Sequence, residues 1–454
     1  MTVLAAGCVV ALAGCGRVDF DQMRRDHAQQ FTADLQERTR CTLPQGQAVG
    51  LDDCIRIALA NNLDVRAADI ETRLAGLDRK IAFANFLPHV ELSWNYRETS
   101  RAVLTRAGGD FIQTSDRGVS TVGIAAQQPI FMPQTWFLYS AYQKGEQISG
   151  LVRRRTRQLI ALRAIALYYA CLSQDEAAVY LRQSLSEGQA LLDETIAMER
   201  EGLVLPAQRQ AIEAMVLERR RGLDDNQRAR GEARADLLET MGLSPLATIE
   251  LAAESPIEPP EGDVADQVLE AMLRRPELHA ADRTIEIRKD EVRMAIADFL
   301  PVVNAFTSYD HSSNSYLKYA NTWAYGASAV LSVFDGFANI HRYRAARERQ
   351  EGAFIEREQA CLTVMLEVVK ARRHLDDATE ALAVAALRRQ AAAEHLKNIE
   401  SQWREGLIET SSRSAALADR DGAVAAEAVA RYRRQVAAAT LADVMGVTKE
   451  WSEQ

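Results

Sequence analysis

Residues 84–90 read ANFLPHV, and residues 297–303 read ADFLPVV. The two prolines, Pro88 and Pro301, stand 213 residues apart (301 − 88), close to half of the 454-residue chain. Each phrase closes a helix-like run, Leu51 to Phe86 in one place and Ala265 to Phe299 in the other. Ile55, Ala58, Leu59, Leu63 and Ala67 recur at helical spacing in the first run. Proline lacks an N–H and disfavours helix in the residue before it, so Pro88 and Pro301 are read as stops.

Beyond each stop the period changes. In HVELSWNYRET, residues 89–99, Val90, Leu92, Trp94 and Tyr96 alternate with Glu91, Ser93, Asn95 and Arg97. That is a strand with one apolar and one polar face. A second strand runs through Val122, Ile124 and Ala126 toward Pro129, across a polar, Gly-containing loop from Arg106 to Gly118. After the second stop, Val302 to Tyr309 and a run from Trp323 through Tyr325, Ala327 and Ala329 to Leu331 form another pair. Phe306 breaks the alternation there. The helical period then resumes without an internal proline over Tyr139 to Glu201 and over Asn339 to Glu405. Fifty residues of helix span roughly 75 Å.

Other phrases recur in the same order. Ala68-Asp69 returns as Ala281-Asp282, Arg200-Glu201-Gly202-Leu203 as Arg404-Glu405-Gly406-Leu407, and Leu238 to Gly242 as Ala442 to Gly446. The shift falls from 213 to 204 (404 − 200), so the first copy carries about nine extra residues between the FLP and REGL phrases. Gly202 and Gly406 are placed to cap the long helices, with a return helix after each. The Pro-rich stretch from Glu254 to Gly262 reads as the seam. The expected divisions are a leader over 1–14, an N-terminal segment over 15–50, repeat one over 51–250, a linker over 251–264, repeat two over 265–447 and a tail over 448–454.

The totals exclude several classes. Charged residues are 26% and the net charge is −9, which fits neither a basic nucleic-acid binder nor a disordered acidic tail. No run of ~18 apolar residues offers a membrane-spanning helix. None of the seven histidines forms HExxH, and GxSxG, P-loop and CxxC patterns are missing from the sequence. An enzyme, a structural metal and a cofactor are therefore not expected. Cys41 and Cys54 are either a disulfide in a loop or two unrelated thiols, while Cys171 and Cys361 read as buried small apolar residues.

The opening MTVLAAGCVVALAG followed by Cys15 is a short apolar leader without a preceding Lys or Arg. Leu12-Ala13-Gly14-Cys15 resembles the bacterial lipobox, in which the cysteine is lipidated; the alternative is a chance LAGC inside an apolar leader. A lipid chain tethers a protein to a membrane surface without spanning it. Four ten-residue strands with Trp and Tyr on the apolar side match the length that crosses a bilayer when tilted. Four strands leave two open edges, which lipid does not tolerate, so other chains must complete the sheet. A soluble sheet packed on a helix is the competing reading of the same alternation. A periplasmic coiled-coil adaptor shares the helices and the anchor, but has no use for such strands.

The lipobox, the duplicated helix–FLP–hairpin–long helix–turn–helix unit and the paired REGL turns together resemble the TolC family of outer-membrane efflux proteins. The lipid-anchored outer components of tripartite drug-export pumps are the most similar group. The resemblance implies a mainly α fold with a membrane β-barrel portion. A homotrimer would build a twelve-strand β-barrel in the outer membrane on a long periplasmic α-barrel. It implies passive export of small molecules, with a periplasmic adaptor and an inner-membrane pump as partners; protein or polysaccharide secretion is the alternative. Under it, Cys15 carries the anchor, and Pro88 and Pro301 mark the passage from α-barrel to β-barrel. Arg200, Gly202, Leu203, Arg404, Gly406 and Leu407 form the adaptor-contact tip. Ser412 and Asp419 are candidates for the pore constriction. Asp419 and Asp421 are alternatively paired with Arg413 or Arg420 on an outer face.

Overall fold

Both FLP phrases fall between a helix and a strand in the computed structural model, which describes residues 19–43, 47–252, 256–405, 407, 408 and 410–447. Leu87 and Leu300 donate their N–H groups to Ala84 and Ala297, three residues back, at 3.0 Å each; Phe86 and Phe299 do the same to Phe83 and Ile296. The last helical turn thus tightens identically in both copies before the proline, and the strand opens at the next residue, His89 or Val302.

The described chain begins with α1 (Phe20–Thr42), α2 (Leu51–Asn61) and α3 (Leu63–Ala84). Strands β1 (His89–Glu98), β2 (Val103–Ala107), β3 (Asp110–Ser115) and β4 (Gly118–Phe131) follow. Then come α4 (Pro133–Arg200) and α5 (Pro206–Thr240). The second copy supplies α6 (Val264–Arg274), α7 (Pro276–Ala297), β5 (Val302–Ser312), β6 (Asn321–Val330), α8 (Ala338–Arg404) and α9 (Thr410–Val444). At 68 residues α4 extends beyond the Tyr139–Glu201 run, while α8, at 67, equals the Asn339–Glu405 run in length.

Two expectations need correction. The runs Leu51–Phe86 and Ala265–Phe299 are each broken into two helices, at Asn62 and at Arg275, which are equivalent under the 213-residue shift. The breaks have different chemistry. Asn62 is extended, and its side-chain oxygen accepts from the N–H of Asp64 (2.8 Å), while its amide donates to the buried Thr240 carbonyl at 2.9 Å. Arg275 is extended because it precedes Pro276, which starts the next helix. The second correction concerns Arg106–Gly118. This segment is not a plain loop; it contributes to a separate hairpin, β2–β3, in which Ala107 pairs with Asp110 across Gly108-Gly109. Both glycines have positive φ, 62° and 104°, which a two-residue hairpin turn requires.

Two compact units emerge, and each holds parts of both copies. One comprises Arg66–Thr156 and Val264–Val368. Its strands form a single antiparallel sheet in the order β1-β4-β5-β6. One sheet face collects Val90, Leu92, Trp94, Val122, Ile124, Tyr309, Trp323 and Tyr325, and the other collects Glu91, Ser93, Asn95, Gln127, Asn304, Asp310 and Ser328. Every residue of β1 is exposed, so no helix among the described residues covers either side of it. The helices of this unit are joined by a pair of ion pairs copied with the repeat: Arg153–Asp69 at 2.7 Å and Arg357–Asp282 at 2.6 Å. Asp290 on α7 is a third anchor, with its side chain 1% exposed. It accepts from Lys144 at 2.5 Å and from Arg293 at 2.8 Å.

The other unit comprises the chain up to Val65, Arg157–Asp263 and the part from Val369 onward. Its core packs Cys54, Ile55, Ala58 and Leu59 of α2 against Ile160, Ala164, Tyr168 and Tyr169 of α4 and Leu237, Leu238 and Met241 of α5. The recurring phrases are buried alike: Leu237 and Met241 match Leu441 and Met445. Cys41 is exposed, Cys54 is buried, and both are free thiols, so the disulfide alternative is not realised. Burial, with smaller contributions from Asp53 and Cys171, pushes the Cys54 thiol up to about 12, which leaves it inert.

Burial alone disfavours the Asp290 carboxylate, but hydrogen bonds from Lys144, Ser140 and Arg293 outweigh it and hold its pKa below the usual range. A depressed carboxylate contributes stability above the unfolded pKa and loses it as pH falls through the folded value. Asp290→Ala leaves Lys144 and Arg293 without their shared counter-charge and is expected to cost about 3 kcal/mol at neutral pH. The loss should shrink toward acid pH, as measured by denaturant unfolding of wild type and variant across pH.

Candidate functional site

The tips come first, because the sequence puts a glycine where each long helix must stop. Gly202 takes φ +74°, and its N–H reaches the Glu199 carbonyl at 3.0 Å while Leu203 reaches Met198 at 2.9 Å. This pair of bonds closes a Schellman cap, and only a residue without Cβ adopts the left-handed position freely. Leu407 closes α8 in the same way, with its N–H on the Gln402 carbonyl at 2.9 Å; Gly406 itself lies outside the described residues. The same cap recurs at Gly242 and Gly446, the ends of the two return helices. Arg200 and Arg404 are exposed, as are Leu203 (70%) and Leu407 (68%). An exposed Arg and an exposed Leu flanking a rigid turn form a surface that a helical partner can meet through both charge and apolar contact.

The packing behind the tips was not legible in the sequence. Glu194, Glu187 and Glu176 on α4 meet Arg413 (3.3 Å), Arg420 (2.7 Å) and Arg431 on α9. Each step of seven or eleven residues down α4 is matched by an equal step up α9, so the two helices run antiparallel in strict register. The signal was present as equal spacing of Glu and Arg on two helices, but nothing in one sequence says which helices are neighbours. Arg413 also lies 4.2 Å above the Trp403 ring. Burial disfavours the Arg420 charge, yet hydrogen bonds to Asp421 and Glu187 hold the guanidinium above its usual pKa.

These pairs sort the constriction candidates. Asp421 is tied to Arg420 at 2.5 Å. Asp419 is not: it is exposed and makes no ion pair among the described residues. Ser412, Ala415, Asp419, Gly422 and Ala426 are all exposed and follow each other by three and four residues. They form one narrow stripe of small and polar side chains along α9, away from the ladder on α4. Pro88 and Pro301 sit at the helix-to-strand passages described above. Cys15 lies outside the described residues.

No group of three or more His, Cys, Asp or Glu gathers to hold a metal ion among the described residues. No helix there is long and apolar enough to cross a membrane. The amphipathic sheet leaves Trp94, Trp323 and Tyr325 exposed on its apolar side.

Residues 268–447 match the family model described as outer membrane efflux protein. That stretch of the chain is similar to the outer membrane efflux proteins. A curated relative, alkaline protease secretion protein AprF of Pseudomonas aeruginosa, is 26% identical over 319 residues, which is 67% of this chain and 65% of that relative's length. The fold matches the Campylobacter jejuni CmeC outer membrane channel with a TM-score of 0.77 and 15% identity over 89% of this chain and 88% of the other. The open state of the Neisseria gonorrhoeae MtrE outer membrane channel gives 0.73 and 20%, covering 88% and 90%. A Pseudomonas aeruginosa membrane protein gives 0.77 and 19%, covering 87% and 93%. The mainly helical architecture with strand hairpins inserted twice is thus the one these channels share.

Proposed function

We propose that the chain is the outer-membrane channel of a tripartite export system, a passive conduit carrying small molecules to the exterior. The observation that carries this reading is the four-stranded sheet, amphipathic, exposed on both sides and open at both edges, grafted between antiparallel helical arms. Two copies of the chain close eight strands, an interior that side chains fill; three close twelve and leave a passage. The reading therefore takes a homotrimer, with the apolar sheet face in outer-membrane lipid and the helices in the periplasm. Energy comes from an inner-membrane pump, joined through a periplasmic adaptor. The divisions are two efflux repeats, 51–250 and 265–447, after a lipid-anchored segment. Similarity to a protein named for alkaline protease secretion supports a second reading, the outer component of a type I secretion system.

In planar bilayers the purified protein is expected to conduct ions. Ser412 and Asp419 line the proposed constriction. Three copies of one carboxylate around a narrow pore attract cations. Ser412→Asp should increase cation selectivity and block by divalent cations, and Asp419→Asn should reduce both. No conductance from the wild type would overturn the channel reading, and unchanged selectivity in both variants would move the constriction elsewhere.

Arg200 and Arg404 are proposed to meet the adaptor. Charge reversal at both should sensitise cells to exported compounds without lowering trimer yield; unchanged sensitivity would remove the tip from the contact.

Cys15 is proposed to carry the lipid anchor as the mature N-terminal residue. Mass spectrometry of the N-terminal peptide should find acyl chains on it. An unmodified peptide running through Cys15 would exclude the anchor.

A further inference from the structure

Among the described residues the polar face of the sheet carries one phenyl ring and no Tyr or Trp. Register across the four strands aligns His89, Gln127, Phe306 and Gly326 in a single row. Along β5 the same face presents Asn304, Phe306, Ser308 and Asp310, and along β6 it presents Thr322, Ala324, Gly326 and Ser328. Phe306 is thus the residue that breaks the alternation, and its partner is the residue that admits it. A Cβ at Gly326 would lie 3.0 Å from the ring's Cζ and 3.2 Å from its Cε1, so the ring rests directly on the glycine backbone. Its other surface stays accessible, with 43% of the residue exposed. Glu91 and Asp310 stand on the same face.

Covering a glycine does not account for all of this. A side chain that only filled the space above Gly326 gains nothing from keeping a large apolar surface toward water. If the apolar face lies in lipid, the polar face lines the lumen, and three copies bring three Phe306 rings to it. We propose that Phe306 is a specificity-determining contact for cargo in the strand region. It takes planar aromatic cations by stacking and cation–π attraction, with the carboxylates of Glu91 and Asp310 enriching cations around it. The proposal rests on the channel reading and adds a class of cargo to it.

The test uses the full-length protein in planar bilayers with two blockers, ethidium, an aromatic cation, and tetrabutylammonium, a cation without rings. Phe306→Ser should shorten the ethidium dwell time about 2- to 10-fold, the range expected for loss of one aromatic contact. The tetrabutylammonium dwell time and the KCl conductance should stay at wild-type values. Phe306→Tyr should retain ethidium block. Phe306→Leu keeps the cover over Gly326 while removing the π face, and should reproduce the serine phenotype even if the serine variant fails to assemble. A merely structural Phe306 would lower trimer yield in Phe306→Ser and leave the ethidium dwell time of Phe306→Leu unchanged; that result overturns the proposal. Equal shortening for both blockers overturns it as well. A wild type with no KCl conductance would instead overturn the channel reading, and this proposal with it.

Discussion

Strands β1 and β6 each leave one row of backbone N–H and C=O groups without a neighbouring strand. In water such an edge is an aggregation hazard; in hydrocarbon each unmet group costs several kcal/mol. The rest of the molecule follows from resolving that constraint. Under the proposed channel reading, a sheet that is apolar on one face and polar on the other, with every residue of its first strand exposed, is completed edge to edge by copies of itself. Closure in turn requires that the helical arms carrying the strands hold a fixed register, because a slip of one residue would exchange the two faces.

Duplication supplies that register economically. Each copy of the unit carries the same tightened turn before its proline, the same Asp–Arg pair between neighbouring helices, and the same closing bond at the far end of its long helix, from Leu203 to Met198 and from Leu407 to Gln402. The two hairpins then join through β4 and β5 into one sheet, and the Glu–Arg ladder between α4 and α9 ties the arm of the first copy to the return helix of the second. Where the copies differ, they reach the same backbone by different means. Asn62 breaks one helix by hydrogen-bonding its own backbone, and Pro276 breaks the other by its ring.

Much of this was legible because it is local. The change from helical to alternating period after Pro88 and Pro301, the capping glycines and the order of recurring phrases all lie within short windows of sequence. The breaks at Asn62 and Arg275 are hidden because apolar spacing runs through both, although Pro276 is a local signal of a helix start. The β2–β3 hairpin is hidden because Gly108-Gly109 has the composition of a loop, although it is the turn that pairs Val103–Ala107 with Asp110–Ser115. The ladder and the Asp290 cluster join residues more than a hundred positions apart, and one sequence does not reveal such partners. Phe306 stood out as an exception to the alternation, but its reason, Gly326 in the next strand, appears only once the register is known.

The central claim is that three chains close one barrel, and native mass spectrometry of the detergent-solubilised protein tests it most directly. The account predicts a particle of three chains that persists as detergent is exchanged. A stable monomer, or a dimer whose eight strands leave no passage, would contradict it.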